Sequence, residues 1–462
     1  MTPGSAHASL EEQIGQWRAY LRRRRAITGP DVEELEAHLR DQVGVLTQSG
    51  LAEDEAFLIA VKRMGSLDAL SREFAREHSE RLWKQLVIAP DGDAAPGAAA
   101  RNETLVVFAL ATAAALAIKV PALFGLTLEG DEAFYARNAS LFVLPFLTAY
   151  FVWKRRMDPR QWVWLAVPFL AAAAVVNTYP FRPEPRQTVS HTEVLSALHL
   201  PIALWLVAVA IAYLRGRWRD GAGRMDFVRF SGELFIYYAL IALGGGVLTA
   251  FTMMMFGAIG LTPEWLAQDW LVPCGAAGAV IVGSWLVEAK QSVIENMAPV
   301  LTRLFTPLFT VVLLVFLATM AWTGRPIDIK REVLISFDLL LAVVVGLVLF
   351  SVSARDPDAP RNLFDGLQLL LIVSALVVDT VALAAIASRI SEFGFTPNRV
   401  AALGENLILL VNLARTAWLY ASYLRRRGSF RTLEAWQTAY LPVYAIWAAV
   451  VVVLFPPLFG YM

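Results

Sequence analysis

Asp379, Glu405, Asn412 and Arg415 are the residues of this chain best placed to do chemistry, because each interrupts a strongly apolar run. A carboxylate, an amide or a guanidinium in such a setting can carry a proton, hold an ion or steer a polar solute. Ionisable groups inside a membrane helix cost about 2.5–3.5 kcal/mol on insertion scales, so they mark functional candidates by default. Glu405, Asn412 and Arg415 share one broad helical face by their spacing. A short turn joins their helix to the one that carries Asp379, which predicts antiparallel neighbours. By depth, Asp379 is expected between Glu405 and Asn412, giving an Asp379–Asn412–Arg415 polar seam. That seam either lines a path for a substrate, ion or proton, or locks the helix pair by mutual satisfaction; the residues alone leave both open.

The connecting turn, 389–399, is the second candidate site, with Arg389, Glu392, Asn398 and Arg399 gathered at one surface. Two arginines and a glutamate there suit either a small anionic ligand or a self-contained salt-bridged turn. Thr396 followed by Pro397 reads as the cap and first residue of the next helix. Lys119 sits near the end of its apolar run, where it can snorkel, and Asp338 is a potential partner for it. Glu233 and Glu288 are expected in surface ion pairs beside Arg229 and Lys290. Gly244, Gly245 and Gly246 lie too deep in an apolar run for a phosphate loop and predict close helix packing or a kink.

Templates for catalysis and cofactors are missing from the sequence. There is no His-Glu-x-x-His, no phosphate-loop string and no Gly-x-Ser-x-Gly. His191 and His199 lack metal-ligand spacing, and the single Cys274 rules out an internal disulfide and a cysteine-based zinc cluster. The expectation is therefore no catalytic residue, no metal and no cofactor.

These candidates are positioned by apolar helices. The 462 residues are 57% hydrophobic and 17% charged, with a mean hydropathy of +0.53; soluble chains average about 25% charged. Stretches near 20 residues, the length that crosses a hydrocarbon core about 30 Å thick, recur at 104–124, 138–153, 162–180, 197–214, 232–256, 271–289, 300–322, 333–352, 366–388, 400–423 and 435–459. The fold class expected is all-α, a polytopic transmembrane bundle of about eleven spans, by this hydropathy count. Convincing internal repetition is not visible. The amino-terminal residues have no apolar core of a secretory signal, so insertion is expected to start at the first internal span.

Alternate loops carry about 17 Lys and Arg against about 8 in the others, and cytoplasmic loops carry the excess. This predicts a multi-pass protein of the cell inner (cytoplasmic) membrane with its amino terminus in the cytoplasm and its carboxyl terminus outside. Trp153, Trp162, Tyr179, Trp265, Trp270, Trp322 and Tyr423 fall near span ends, as interfacial aromatics do.

Residues 1–87 differ from the rest: they are charged and slightly acidic, and they read as four amphipathic helices over about 10–26, 32–50, 53–64 and 67–86. Ser9 and Glu12 stand at capping-box spacing. Arg22, Arg23, Arg24 and Arg25 form a basic tract, but the acidic balance of the domain argues against a nucleic-acid partner and for a solvated helix end or contact with anionic lipid. Residues 88–103, rich in Ala, Gly, Pro and Asp, read as a flexible tether, and 104–462 as the membrane domain.

Two resemblances attach to particular residues. The Glu34–Asp41 run, Glu-Leu-Glu-x-His-Leu-x-Asp, and the Gly50–Ala56 run closely resemble the bacterial permease prefix domain, a module related to the HAAS signalling domain, over about 9–80. That resemblance implies a cytosolic four-helix domain that docks a protein partner, often encoded near PadR-type repressors, and no chemistry of its own. The 389–413 segment resembles a bacterial membrane family catalogued as domain of unknown function 4153, through its Arg-x-x-x-Phe-Gly-Phe-Thr-x-x-Arg turn; this implies a many-span architecture without a substrate. Together these predict a regulatory or signal-transducing membrane protein with the bilayer and a cytosolic protein as partners, or alternatively a secondary transporter or permease that uses the polar seam.

Overall fold

The structure is a computed structural model that describes residues 10–11, 14–15, 18, 29–48, 51–52, 56–57, 59–61, 98–183, 188–261, 264–289, 297–323, 331–357 and 359–462. The chain divides into two compact units, Met1–Ala95 and Pro96–Met462. Every regular element among the described residues is helical.

In the first unit, helix α1 (Gly29–Gln48) places Leu39, Val43 and Leu46 on one stripe by their spacing. They bury against Ile14, Ala56, Phe57 and Ala60, and full burial of an aliphatic side chain contributes about 1.5–3 kcal/mol. The opposite face is ionic: Arg40 bonds both Glu11 (2.5 and 2.8 Å) and Glu36 (2.9 Å), and Arg18 meets Glu36 at 3.4 Å. The Ser9–Glu12 capping box, Arg22 to Arg25, most of the first expected helix, the helix expected over 67–86 and most of the 88–103 tether lie outside the described residues.

The second unit is a bundle. Its helices are α2 (Ala98–Ala117), α3 (Glu132–Lys154), α4 (Pro159–Thr178), α5 (His191–Tyr213, with a π turn at Trp205–Val209), α6 (Gly221–Ala258), α7 (Leu266–Ala289), α8 (Met297–Thr323), α9 (Arg331–Ala354), α10 (Leu363–Phe393), α11 (Pro397–Leu424) and α12 (Phe430–Val453). Ten of these are long and apolar enough to cross a membrane, against the eleven spans expected. The difference is α3, which holds the expected span 138–153. Its 23 residues include Glu132, Arg137 and Lys154 near the ends and Asn138 further in, and these lower its hydropathy. Much of α3 is buried by neighbouring helices, so it needs less apolar surface of its own.

Contacts at helix ends give the path of the chain. Glu103 of α2, Lys154 of α3 and Glu288 of α7 meet at one end, as do Arg229 of α6 with Ser353 of α9 and Arg355 with Tyr423 of α11. At the other end Arg137 meets Glu193, the Tyr179 hydroxyl reaches the Val453 carbonyl, and the backbone amide of Thr192 donates to the Met462 carbonyl. With α3 counted beside the ten, the helices alternate in direction between these two ends. Arg155, Arg156, Arg215, Arg217, Arg229, Arg355, Arg361 and Arg425–Arg427 all lie at the Glu103 end, which we term the basic end.

Two large apolar cores share the bundle, with a smaller cluster of Leu195, Ala401, Val451 and Phe455 beside them. One joins α2–α7 around Leu147, Phe151, Val209 and Ile281; the other joins α8–α12 around Leu341, Leu371, Val378 and Tyr420. Helix α6 contributes Phe227 and Phe230 to the first and Met225 to the second. A Cβ placed on Gly244, Gly245 or Gly246 would meet no atom of another helix within 4 Å, so close packing at that triplet is not found, and α6 runs unbroken through it. Cys274 is a free thiol that donates weakly to the Ala115 carbonyl.

Candidate functional site

Helices α10 and α11 pack against each other as the 389–399 turn predicts. The four residues expected to share a seam do not share one. Helix α11 instead distributes its polar side chains among three different neighbours.

Asn412 faces α12. Its amide nitrogen donates to the Tyr444 hydroxyl (2.7 Å) and to Gln437 Oε1 (3.3 Å), while its Oδ1 accepts from Trp436 Nε1 (2.8 Å). Gln437 Nε2 closes the ring on Thr416 Oγ1 at 2.6 Å. Asn412, Thr416 and Gln437 are almost wholly buried, so this is a satisfied network of the kind that fixes one packing arrangement. Arg415, one turn on, lies exposed at the bundle surface against the rings of Trp418 (4.3 Å) and Trp436 (5.8 Å).

Glu405 faces α5, where His199 Nε2 stands 2.5 Å from Glu405 Oε1 and His199 Nδ1 is 2.8 Å from the Leu195 carbonyl. Two turns toward the non-basic end, Asn398 pairs with His191 Nδ1 at 2.9 Å. The two histidines of α5 and their two partners on α11 therefore form matched stitches between parallel helices. The matched spacing, eight residues on one helix and seven on the other, was the available signal.

Asn406 faces α9. Its Nδ2 donates to Asp338 Oδ1 at 2.7 Å and to the Ala402 carbonyl at 2.8 Å. Asp338 thus takes Asn406 and not Lys119, which sits over the Trp270 ring at 4.8 Å. Asp379 belongs to this neighbourhood. Gln368 of α10 bonds Ser351 of α9 at 2.7 Å; counted from that contact along the antiparallel pair, Asp379 comes level with Leu340, about half a turn from Asp338. Asp379 has 0% exposure, its flanking Ala375, Val378 and Ala382 are equally enclosed, and neither carboxyl oxygen has a hydrogen-bond partner. Asn406 is also fully buried, and its Oδ1 is unpartnered.

The outer-turn candidates separate too. Arg399 folds back on its own turn, its Nη1 donating to the carbonyls of Phe393 (2.9 Å) and Gly394 (2.8 Å) with its guanidinium over the Phe393 ring. Gly394, at φ +76° and ψ −178°, occupies backbone space that is essentially restricted to glycine. Thr396 holds the N-cap position without a side-chain cap bond, and Pro397 opens α11. Arg389 is half-buried, Glu392 is exposed, and Asn398 has turned to His191. On the Arg399 side the turn is held by arginine-to-carbonyl bonds.

The glutamates expected at the surface are buried. Glu288 pairs with Arg155 (3.0 Å) and Lys154 (3.6 Å) of α3; Lys290 lies outside the described residues. Glu233 is 5% exposed, and Arg229 bonds the Ser353 carbonyl and approaches Asp226. A further buried ionic cluster lies at the basic end. Arg355 bonds Asp365 through Nε (2.8 Å) and Nη2 (2.9 Å), and also the Tyr423 hydroxyl (2.7 Å). Among the described residues, no group of three or more His, Cys, Asp or Glu side chains could hold a metal.

Comparison of the chain with protein-family models, with curated proteins and with solved structures finds no match.

Proposed function

We propose that this chain is a multi-pass protein of the bacterial inner membrane that relays the state of its bundle to a cytosolic protein through residues 1–87, without catalytic chemistry of its own. In this reading α2–α12 are eleven spans, and the basic end and the amino-terminal unit lie in the cytoplasm. The permease-prefix and unknown-function-4153 resemblances supply the docking role and the architecture. The carrying observation is the dispersal of polar groups on α11. Asn406, Asn412 and Glu405 engage three separate helices, which suits a bundle held in a defined arrangement better than one lined by a continuous polar path. Deletion of residues 1–87 is expected to leave membrane insertion intact and to abolish the transcriptional response of the host. An unchanged response with normal insertion would count against the relay.

A second reading, secondary transport, is favoured by one observation: the Asp379 carboxyl is enclosed without a partner. An isolated carboxylate is too costly in an apolar interior, so the group must be neutralised there, and a bound proton or cation does this. Asp338 and Asn406 are the neighbours through which such a charge would pass. The original seam contracts in this reading to Asp379, Asp338 and Asn406, with Glu405 and His199 beside them. Proteoliposome flux that survives Asp379→Asn unaltered would exclude it.

A further inference from the structure

At the basic end a cavity of about 310 Å³ opens between two helix connections, lined by Arg156, Asp158, Gln161, Arg215 and Arg217. Nearby cations are paired: Lys154 with Glu103, Arg155 with Glu288 and Arg355 with Asp365. The side chains of Arg156, Arg215 and Arg217 have no such partner among the described residues. Three guanidiniums against the single carboxylate of Asp158 leave the cavity with an excess of positive charge.

The backbone is adapted to this arrangement. Arg156 and Arg215 both adopt left-handed conformations, at φ +49° and +53°. Each stands just past the end of a helix, where glycine is the usual occupant because a left-handed conformation strains a residue that carries a Cβ. Two of the four left-handed non-glycine residues among the described residues therefore present guanidiniums to one cavity. Gln161 Oε1 accepts from the Asp158 backbone amide (3.2 Å), and its amide nitrogen lies beside Gly216, which brings the two connections together. Helix α4 starts here as well, its first turn closed by the capping box of Asp158 and Gln161, so the arginines carry the anion-binding character of the cavity. Trp153, Trp162 and Trp164 are exposed around it, the pattern of an aromatic belt at a membrane interface.

We propose that this cavity binds a phosphate group, which the arginines hold as an ion pair at the level of the lipid headgroups. Guanidinium forks match phosphate oxygens, and basic pockets between membrane helices take anionic headgroups. The volume, at the small end of ligand pockets, suits a headgroup fragment. The phosphate can come from an anionic phospholipid or from a free phosphate ion.

The test uses three glycine substitutions, each at a left-handed position that glycine adopts without strain. Arg156→Gly with Arg215→Gly empties the cavity of two guanidiniums; Arg426→Gly removes the left-handed arginine at the end of α11, which does not line it. The purified full-length protein is titrated with phosphatidylglycerol, with phosphatidylcholine and with inorganic phosphate, and binding is read by native mass spectrometry for lipids and calorimetry for phosphate. A lipid source gives selective phosphatidylglycerol binding that weakens at least tenfold in the double variant and is unchanged in Arg426→Gly. A free-phosphate source gives the same contrast with inorganic phosphate alone. Equal effects of the two variants, or binding indifferent to both, overturns the proposal. A thermal unfolding midpoint at or above that of the parent shows that the double variant is folded.

Discussion

The surroundings of Asn412 and of Asp379 are opposite solutions to the same problem. Both side chains are buried in the α8–α12 half of the bundle, with exposures of 1% and 0%. Asn412 is bonded to Gln437, Tyr444 and Trp436 from one neighbouring helix, whereas Asp379 has neither oxygen matched. A buried polar group gains little net energy when satisfied and loses much when orphaned. The first site is therefore built to hold and the second stores a cost, which is what a site awaiting a proton or cation would do.

The contrast is tested most severely by opening a closed ionic site. Asp365 is 1% exposed and accepts two bonds from Arg355 and one from the Asn362 amide. Asp365→Ala leaves that guanidinium half-enclosed without its counter-ion, and removal of one partner of a buried pair costs roughly 3–5 kcal/mol. A large fall in the midpoint of detergent-solubilised unfolding is expected. A negligible one would mean that closure of these networks does not govern stability.

Next in size is the pair itself. Asn412→Ala orphans Trp436 Nε1 and weakens the Gln437 and Tyr444 contacts, at a cost of about 1–2 kcal/mol, the upper range for hydrogen bonds between membrane helices. Asp379→Asn is expected to change stability little, because it exchanges one unmatched polar group for another in an apolar interior. Unfolding equilibria of the two variants side by side decide the matter. If both destabilise alike, Asp379 is as well satisfied as Asn412, and the basis for a charge-carrying site disappears.

Why the sequence misplaced these residues follows from what periodicity encodes. The apolar runs locate the helices, and the short turn at 389–399 identifies α10 and α11 as neighbours. The spacing of Glu405, Asn412 and Arg415 groups them on a face, but it cannot say which helix that face meets. A broad face touches more than one neighbour: Glu405 met α5, Asn412 met α12 and Arg415 met the surface. Partners more than a hundred residues away, such as Glu288 for Arg155, leave no local trace. Helix α3 shows the converse, since partial shielding by its neighbours lets Arg137 and Asn138 stand where a hydropathy window discounts them.

The smallest effect comes from a closed network in water. Arg40 bridges Glu11 and Glu36 on the exposed face of α1, and the hydrogen bond from Arg40 holds the Glu11 carboxyl below its ordinary value of 4.5. A depressed carboxylate contributes stability above its unfolded value and loses it as pH falls through the folded one. Glu11→Gln should therefore leave the amino-terminal unit unchanged once the pH is below the folded value, where both side chains are neutral. It should weaken that unit slightly near pH 7, as read by amide hydrogen exchange along α1 in the full chain. The effect should also shrink with added salt, because exposed pairs are screened. Loss comparable to that of Asp365→Ala would show that closure alone, irrespective of burial, determines the worth of a polar network. A slight, salt-sensitive loss assigns that worth to burial, and so returns the weight to Asp379, where burial is complete and closure is missing.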